Sequence, residues 1–145
     1  MLQSVIFENA SESPTEGLRT FSIEISDGNS TATDSVEVNV VSVDDAPGLF
    51  VNTTPLTFTE GQSPITIDSG LTLNDVDSTE LSSASVTISE GFQFGADSLE
   101  FVVPSGIVGS FDAATGTLTF SGLASVDDYE QALPVSYTHL TAADE

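Results

Sequence analysis

The sequence predicts an all-β fold of antiparallel strands. Apolar residues alternate with polar ones in many short segments, so each segment has one face for a core and one for water. Turn-forming residue pairs, most of them containing glycine, separate the segments at intervals of roughly 8 to 12 residues, the spacing of a β-sandwich. A chain of 145 residues has room for one small sandwich and part of another.

The first predicted element is a β-hairpin. Residues 27–30, Asp-Gly-Asn-Ser, supply its turn because Gly and Asn readily take positive φ. Six apolar residues alternate with polar ones on the two sides of this turn: Phe21, Ile23, Ile25, Val36, Val38 and Val40. One face of the hairpin should therefore be apolar.

The alternation continues after residue 47 and predicts further short strands. It recurs at Leu56 and Phe58, Ile65 and Ile67, Val86 and Ile88, Leu99 and Phe101, and Leu118 and Phe120. A helical pattern is confined to residues 127–133, which could form a short helix capped by Asp127.

The charge balance excludes two classes of partner. The chain has 23 acidic residues and a single base, Arg19, which gives a formal net charge of −22. Nucleic acids and anionic membrane surfaces are excluded because binding them requires Lys or Arg. Direct membrane insertion is not expected either, since no apolar run approaches the roughly 18 residues of a membrane span. Carboxylates in such a chain are solvated, repel each other or gather around a cation.

Catalytic groups are sparse. Cysteine is absent, and the only histidine is His139, so neither a Ser-His-Asp nor a Cys-His set can be assembled. Asp127 or Glu130 could in principle belong to a glycosidase pair of carboxylates, but the chain has no Trp to stack on a sugar. We therefore predict that the chain is not an enzyme.

Several strings, in this order, resemble the cadherin-like repeats of large bacterial surface adhesins of the RTX type. They are RTFSIEISDG at 19–28, VEVNV at 36–40 leading to VDDAP at 43–47, LTFTEG at 56–61, LTLNDVDS at 71–78 and LTFSG at 118–122. The resemblance covers about residues 2–133. It implies an antiparallel Greek-key β-sandwich and an extracellular or cell-surface location.

The resemblance also implies a division of the chain. Residues 1–43 correspond to the C-terminal part of a preceding repeat, 44–47 to a calcium-binding linker, and 48–133 to a repeat that lacks its last strands. Residues 134–145 form an atypical tail that need not be ordered, and the string at 133–140 resembles translated sequencing-adapter sequence. We expect residues 2–42 to pack separately; the alternative is that they complete the downstream sandwich. In the cadherin-like fold the first and last strands end at opposite poles, so in that alternative the linker would have to cross the whole sandwich. Five linker residues reach only about 17 Å, whereas a ten-residue strand spans roughly 33 Å.

A calcium site is implied as well. Cadherin-type repeats bind calcium through acids of the linker, a Glu after the first strand and an Asp-x-Asp of the following unit. The matching residues are Asp44, Asp45, Glu60, Asp75 and Asp77. Calcium takes six to eight oxygen ligands, several of them anionic, and two consecutive acids at a junction repel each other until a cation binds.

The acidic residues also have two other interpretations, an EF-hand loop and surface solubilisation. An EF-hand loop begun at Asp75 would need Gly at position six and Glu at position twelve, where this chain has Glu80 and Val86. In a chain this acidic, Asp75 and Asp77 could also be surface solubilisers. That interpretation is favoured for Asp127, Asp128 and Glu130.

The predicted function is that of a calcium-stiffened spacer repeat of a secreted or cell-surface adhesin, supporting cell adhesion or biofilm attachment. Its partners would be neighbouring repeats of the same chain. The alternative is a β-sandwich module that binds a glycan or a cell-surface receptor, for which Phe92 and Phe94 are candidate contact residues. The favoured role of these two aromatics is to close one end of the sandwich.

Overall fold

The computed structural model describes residues 5–139, and the chain divides into two compact units between Asp45 and Ala46. The first unit contains two strands, and the second contains eight strands and one helix. Among the described residues, every fully buried apolar side chain belongs to the second unit.

The first unit contains the predicted β-hairpin. Strand β1 covers Gly17–Ser26 and strand β2 covers Thr31–Val40, and the two pair in antiparallel orientation. In the turn, Asp27 Oδ1 accepts hydrogen bonds of 2.8 Å from the backbone N–H groups of Asn29 and Ser30. Gly28 has a φ of 90°, a conformation that glycine adopts without strain. The prediction for this element is confirmed.

One side of this hairpin is apolar, and we call it the hairpin face. Because Phe21 lies opposite Val36, residues two apart along each strand share that side. The side chains of Ile23 and Ile25 are 56% and 68% exposed. The ring of Phe7 packs edge-on against Phe21, with 5.2 Å between centroids. The apolar members of the hairpin face are Phe21, Ile23, Ile25, Val36, Val38 and Val40.

The second unit is built from three antiparallel sheets. Their orders are β3-β5, β4-β10-β7 and β6-β9-β8. The elements are β3 Gly48–Phe50, β4 Ile65–Thr66, β5 Thr72–Asn74, β6 Glu80–Thr87, β7 Asp97–Glu100, β8 Val108–Asp112, β9 Thr117–Ser125, helix α1 Val126–Ala132 and β10 Ser136–His139. The fold is the all-β sandwich that the alternation predicts.

The core of the second unit is centred on strand β9. Leu118 and Phe120 are completely buried, and the ring of Phe101 meets that of Phe120 edge-on at 5.7 Å. The other fully buried apolar residues are Leu99, Ile107, Ala124, Tyr129, Ala132 and Val135. This core fixes the strands from which the acidic loops emerge.

The N-cap of helix α1 lies two residues before the expected position, Asp127. Ser125, in extended conformation, is the N-cap, and its hydroxyl oxygen accepts the N–H of Asp128 at 3.1 Å. The same hydroxyl donates to the Asp128 carboxylate at 2.7 Å. The prediction of Asp127 as the cap was wrong because Ser125 accepts the free N–H of Asp128 in the first turn. None of the described residues belongs to a helix long and apolar enough to cross a membrane.

Tyr129 ties this helix to strand β9. Its side chain is completely buried, and its hydroxyl donates a 2.7 Å hydrogen bond to the carbonyl of Gly122. Gly122 has a φ of 128°, and a Cβ at this position would lie 2.2 Å from the carbonyl oxygen of Gly106. Only glycine fits there, and the tyrosine closes over the resulting bend.

The segment around Leu56 and Phe58 is not a strand, contrary to the prediction. Pro55 has no N–H to donate to a ladder, and Asn52 Oδ1 instead accepts the N–H of Thr54 at 2.9 Å in a local turn. The ring of Phe58 still packs, edge-on against Tyr137 at 5.1 Å. Alternation here reflects burial of one aromatic ring and not membership of a sheet.

Residues 134–139 differ from the expectation of an atypical tail. Pro134 lies ahead of strand β10, so its missing N–H costs no ladder bond. Val135 is buried, and its carbonyl accepts the N–H of Ile67 at 2.9 Å. Strand β10 then pairs with both β4 and β7. The rest of the expected tail, residues 140–145, lies outside the described residues.

We expect Tyr129→Phe to lower the free energy of unfolding by about 1 to 2 kcal/mol, because the partly buried carbonyl of Gly122 loses the hydrogen bond from the buried Tyr129 hydroxyl. Urea denaturation followed by near-ultraviolet circular dichroism measures this, since the remaining tyrosine, Tyr137, also belongs to the second unit. The control is Gln131→Ala, which removes an exposed 3.2 Å hydrogen bond in the same helix and should change stability by less than about 0.5 kcal/mol. Equal losses in the two variants would contradict the role given to Tyr129.

Candidate functional site

The five predicted calcium ligands belong to different units. Asp44 and Asp45 follow strand β2 at the end of the first unit, and both are exposed. Glu60, Asp75 and Asp77 belong to the second unit. Glu60 is exposed in a turn, whereas the two aspartates are partly buried. Within residues 5–139, no group of three or more His, Asp and Glu side chains is arranged to hold a metal ion.

Asp75 and Asp77 are brought together by a tight turn that follows strand β5. Asp75 Oδ1 accepts the N–H of Ser78 at 2.8 Å and that of Asp77 at 3.2 Å. The hydrogen bond from the Ser78 backbone, assisted by those from Asp77, holds the pKa of Asp75 below its usual value. Asp75 is therefore ionised at neutral pH, with one oxygen engaged by the turn.

A hollow of about 420 Å³ lies beside this turn within the second unit. Most of its lining residues carry side-chain oxygen atoms, the donors that calcium prefers. The lining residues are Asn74, Asp75, Ser78, Thr79, Ser125, Val126 and Asp127. The chemistry of this donor set fits a hard cation, and Asn74, Ser78, Thr79 and Ser125 are members that the sequence did not single out.

The acidic residues of helix α1 divide between two roles. Asp127 is exposed and lines the hollow. Asp128 completes the N-terminal cap with Ser125. Glu130 Oε2 accepts the N–H of Leu73 at 2.8 Å, which joins the helix to strand β5. Two of the three acids are therefore engaged in holding the helix in place.

A second polar cluster surrounds the carboxylate of Asp97 at the start of strand β7. Asp97 is buried, and its Oδ1 accepts the Tyr137 hydroxyl at 2.8 Å and lies 2.7 Å from Nδ1 of His139. Its Oδ2 accepts the N–H of Gln93 at 2.7 Å. Burial alone would raise the pKa of Asp97, but the hydrogen bonds from His139, Gln93 and Tyr137 together hold it below the usual value. Burial and the neighbouring carboxylate raise the pKa of Tyr137 to about 12.

The two aromatic candidates for ligand contact differ in exposure. Phe92 is partly buried and packs against the β8–β9 turn at Gly116, where an added Cβ would lie 2.7 Å from the phenylalanine ring. Phe94 is 77% exposed. Phe92 is therefore engaged in packing, and of the two aromatics Phe94 is the one exposed for contact.

The fold and these sites define a β-sandwich domain rich in carboxylates. The chain is 30% identical, over 131 residues that make up 86% of its length, to Halomucin of Haloquadratum walsbyi strain DSM 16790 / HBSQ001. The matched segment is 1% of Halomucin. No protein-family model matches the chain, and no solved structure matches it.

The Asp97 cluster leads to a prediction about pH. A carboxyl group whose pKa is lowered by folding adds stability above its unfolded pKa of about 3.9, and this stability is lost as the pH falls through the folded value. We expect Asp97→Asn to lower the free energy of unfolding by about 2 kcal/mol at pH 7, with a penalty that shrinks below about pH 4.

Urea denaturation between pH 3 and pH 7 measures this penalty. Glu100→Gln, at an exposed position of the same strand, is the control and should show little penalty at any pH. A penalty for Asp97→Asn that stays constant across this range would contradict the assignment of an ionised, stabilising carboxylate.

Proposed function

We propose that the chain is a non-enzymatic structural repeat of a secreted or cell-surface protein and that calcium stiffens it. The observation that carries the proposal is the turn in which Asp75 lines an oxygen-rich hollow, with Asp77 two residues further on in the same turn. The distant similarity to Halomucin supports a structural domain of a large surface protein.

Calcium would supply positive charge to a chain that has almost none. With 23 acidic residues and one base, carboxylates at neighbouring positions repel each other, and the repulsion favours more open states of the loops. Asp75 and Asp77 would provide anionic ligands, Asp127 a further carboxylate, and the Ser and Thr side chains of the hollow neutral oxygens. On the strength of the cadherin-like resemblance, Asp44, Asp45 and Glu60 are proposed as additional ligands.

Such a repeat would serve as a stiff spacer of defined length and would catalyse no reaction. A chain of repeats whose loops are fixed by a cation keeps a binding domain at a distance from the cell. A role in adhesion or biofilm attachment follows from this proposal. The partners would be the neighbouring repeats.

A second candidate is a module that binds a glycan or a cell-surface receptor. The exposed ring of Phe94 is the observation that favours it, since aromatic rings provide contact area for sugars and proteins. Phe94→Ala should abolish binding on a glycan array if this function is correct, and it should leave the calcium response unchanged.

We expect calcium to stabilise the chain against unfolding. Extracellular calcium modules bind at about 0.1 to 1 mM, and a ligand at ten times its dissociation constant raises the free energy of unfolding by about 1.4 kcal/mol per site. Thermal melts with calcium, with magnesium, and with sodium chloride at matched ionic strength separate specific binding from screening. A melting temperature that responds equally to all three salts would contradict a calcium site.

We expect the double substitution Asp75→Asn, Asp77→Asn to weaken calcium binding by tenfold or more, because two anionic ligands are lost, each worth on the order of 1 kcal/mol. Asparagine keeps the side-chain oxygen that accepts the turn hydrogen bonds. The matched control is Asp112→Asn, at another aspartate of the second unit that accepts a turn N–H, that of Ala114 at 2.8 Å. Titration calorimetry measures both. Equal effects would mean that the acids act only as a diffuse charge.

A further inference from the structure

The second unit contains an open apolar groove of about 660 Å³. It runs between the short sheet of β3 and β5 and strand β6. Among the residues 5–139 that line it, Asp68 alone is charged. Prominent apolar lining residues are Leu49, Ile67, Leu73, Leu81, Val86 and Val135. An apolar opening of this kind marks an interaction site more often than a gap in packing.

One wall of the groove is the free edge of a strand. Strand β6 pairs with β9 on one side, and no described strand pairs with its other side. Five consecutive residues of β6, at positions 83–87, line the groove. Since successive side chains point to opposite faces of a sheet, a run of adjacent lining residues indicates that the backbone edge itself borders the groove. Unpaired N–H and C=O groups there can accept an additional strand.

The same chain carries a surface suited to this groove. The hairpin face presents alternating apolar side chains, and Ile23, Ile25 and Val36 are more than half exposed. The opposite side of the hairpin, with residues such as Ser22 and Glu24, is polar. Each hairpin strand has 10 residues, enough to pair along the 8 residues of β6. A strand of the hairpin could thus add to β6 and insert its apolar residues into the groove.

Charge also favours this pairing. The chain has a formal net charge of −22, so most surfaces of two copies repel each other. The hairpin face contains one acid, Asp34, and the only base, Arg19. The groove is lined by a single acid, Asp68, which already accepts the N–H groups of Asn52 and Gly70. These two apolar surfaces can approach each other with little electrostatic cost.

We propose that the groove beside β6 is a docking site for the β1–β2 hairpin of a second copy of this chain. The hairpin would extend the β6-β9-β8 sheet by strand addition. If β1 pairs with β6, Ile23 and Ile25 face the apolar lining; if β2 pairs with it, Val36 does. Each contact joins two unlike surfaces, the hairpin face of one copy and the groove of another. Two copies can therefore exchange hairpins and form a closed dimer, or many copies can form an open linear assembly. The inference requires neither calcium nor a spacer role.

Sedimentation velocity of the whole chain tests this assembly. Sodium chloride at about 1 M shortens the Debye length to about 3 Å and removes the general repulsion. At about 100 μM protein, a concentration that populates complexes of micromolar affinity, we expect at least twice the monomer mass of 15.1 kDa. A wild-type chain that remains monomeric under these conditions overturns the proposal.

A pair of variants identifies the two surfaces. Ile25→Asp damages the hairpin face and Leu49→Asp the groove, and both residues are more than half exposed, so neither change should prevent folding. Each variant alone should be monomeric. An equimolar mixture should form a one-to-one complex, because the first variant keeps an intact groove and the second an intact hairpin.

Two substitutions outside the proposed contact control for the added negative charge. Ser22→Asp, on the polar side of the hairpin, and Thr119→Asp, at an exposed position of β9, add the same charge and should associate as the wild type does. If Leu49→Asp alone still associates, two hairpin faces pack together and the groove proposal is wrong. A mixture that stays monomeric also overturns it. Near-ultraviolet circular dichroism of the two tyrosines checks that the second unit of every variant is folded. If an aspartate variant is not folded, Ile25→Ser replaces Ile25→Asp and Leu49→Ser replaces Leu49→Asp.

Discussion

A shortage of positive charge governs how this chain uses its carboxylates. With one Lys or Arg for 23 acids, few ion pairs can form, and many of the acids accept hydrogen bonds from uncharged donors. Asp27 and Asp75 each accept two backbone N–H groups in a local turn, and Asp68 accepts that of Gly70 and that of Asn52, 16 residues away. Glu130 joins the helix to a strand through one N–H, and Asp97 gathers a phenol, an imidazole and a backbone amide. The hydrogen bonds to Asp27, Asp68, Asp75 and Asp97 lower the pKa of these four acids and so keep them ionised.

The apolar core limits where this charge can be tolerated. The fully buried residues of the described chain lie on and around strand β9, and the buried hydroxyl of Tyr129 fixes the helix to the bend at Gly122. A buried tyrosine that bonds back to the backbone a few residues upstream is also a device of immunoglobulin-type sandwiches. The hairpin of the first unit has no comparable core, and a two-stranded hairpin is marginally stable by itself. Its stability therefore depends on the surfaces that come to cover its apolar face.

Local chemistry was the part of the fold that the sequence could predict. The hairpin and its Asp27 turn were predicted because period-two alternation and turn residues act over a few positions. The cap at Ser125 was missed because both Ser125 and Asp127 are good caps, and contacts of the helix decide between them. Strand β10 could not be foreseen, since its partners β4 and β7 are far away in the sequence. At the candidate site, Asp75 was named from its resemblance to an Asp-x-Asp motif, whereas Asn74, Thr79 and Ser125 meet only in the folded unit.

The same charge that limits stability also provides selectivity. Two copies of a strongly acidic chain repel each other over most of their surfaces at moderate salt, and this repulsion opposes unspecific contact through exposed apolar residues such as Ile23 or Leu49. Contact becomes favourable only where acids are absent or already occupied by hydrogen bonds, as Asp68 is beside the groove. Cations act on this balance in two ways, since screening weakens the general repulsion and a bound calcium ion would remove it at one loop. On the two proposals above, a bound calcium ion would stiffen the chain and screening by salt would let copies assemble, although Arg19 is its one strongly basic residue.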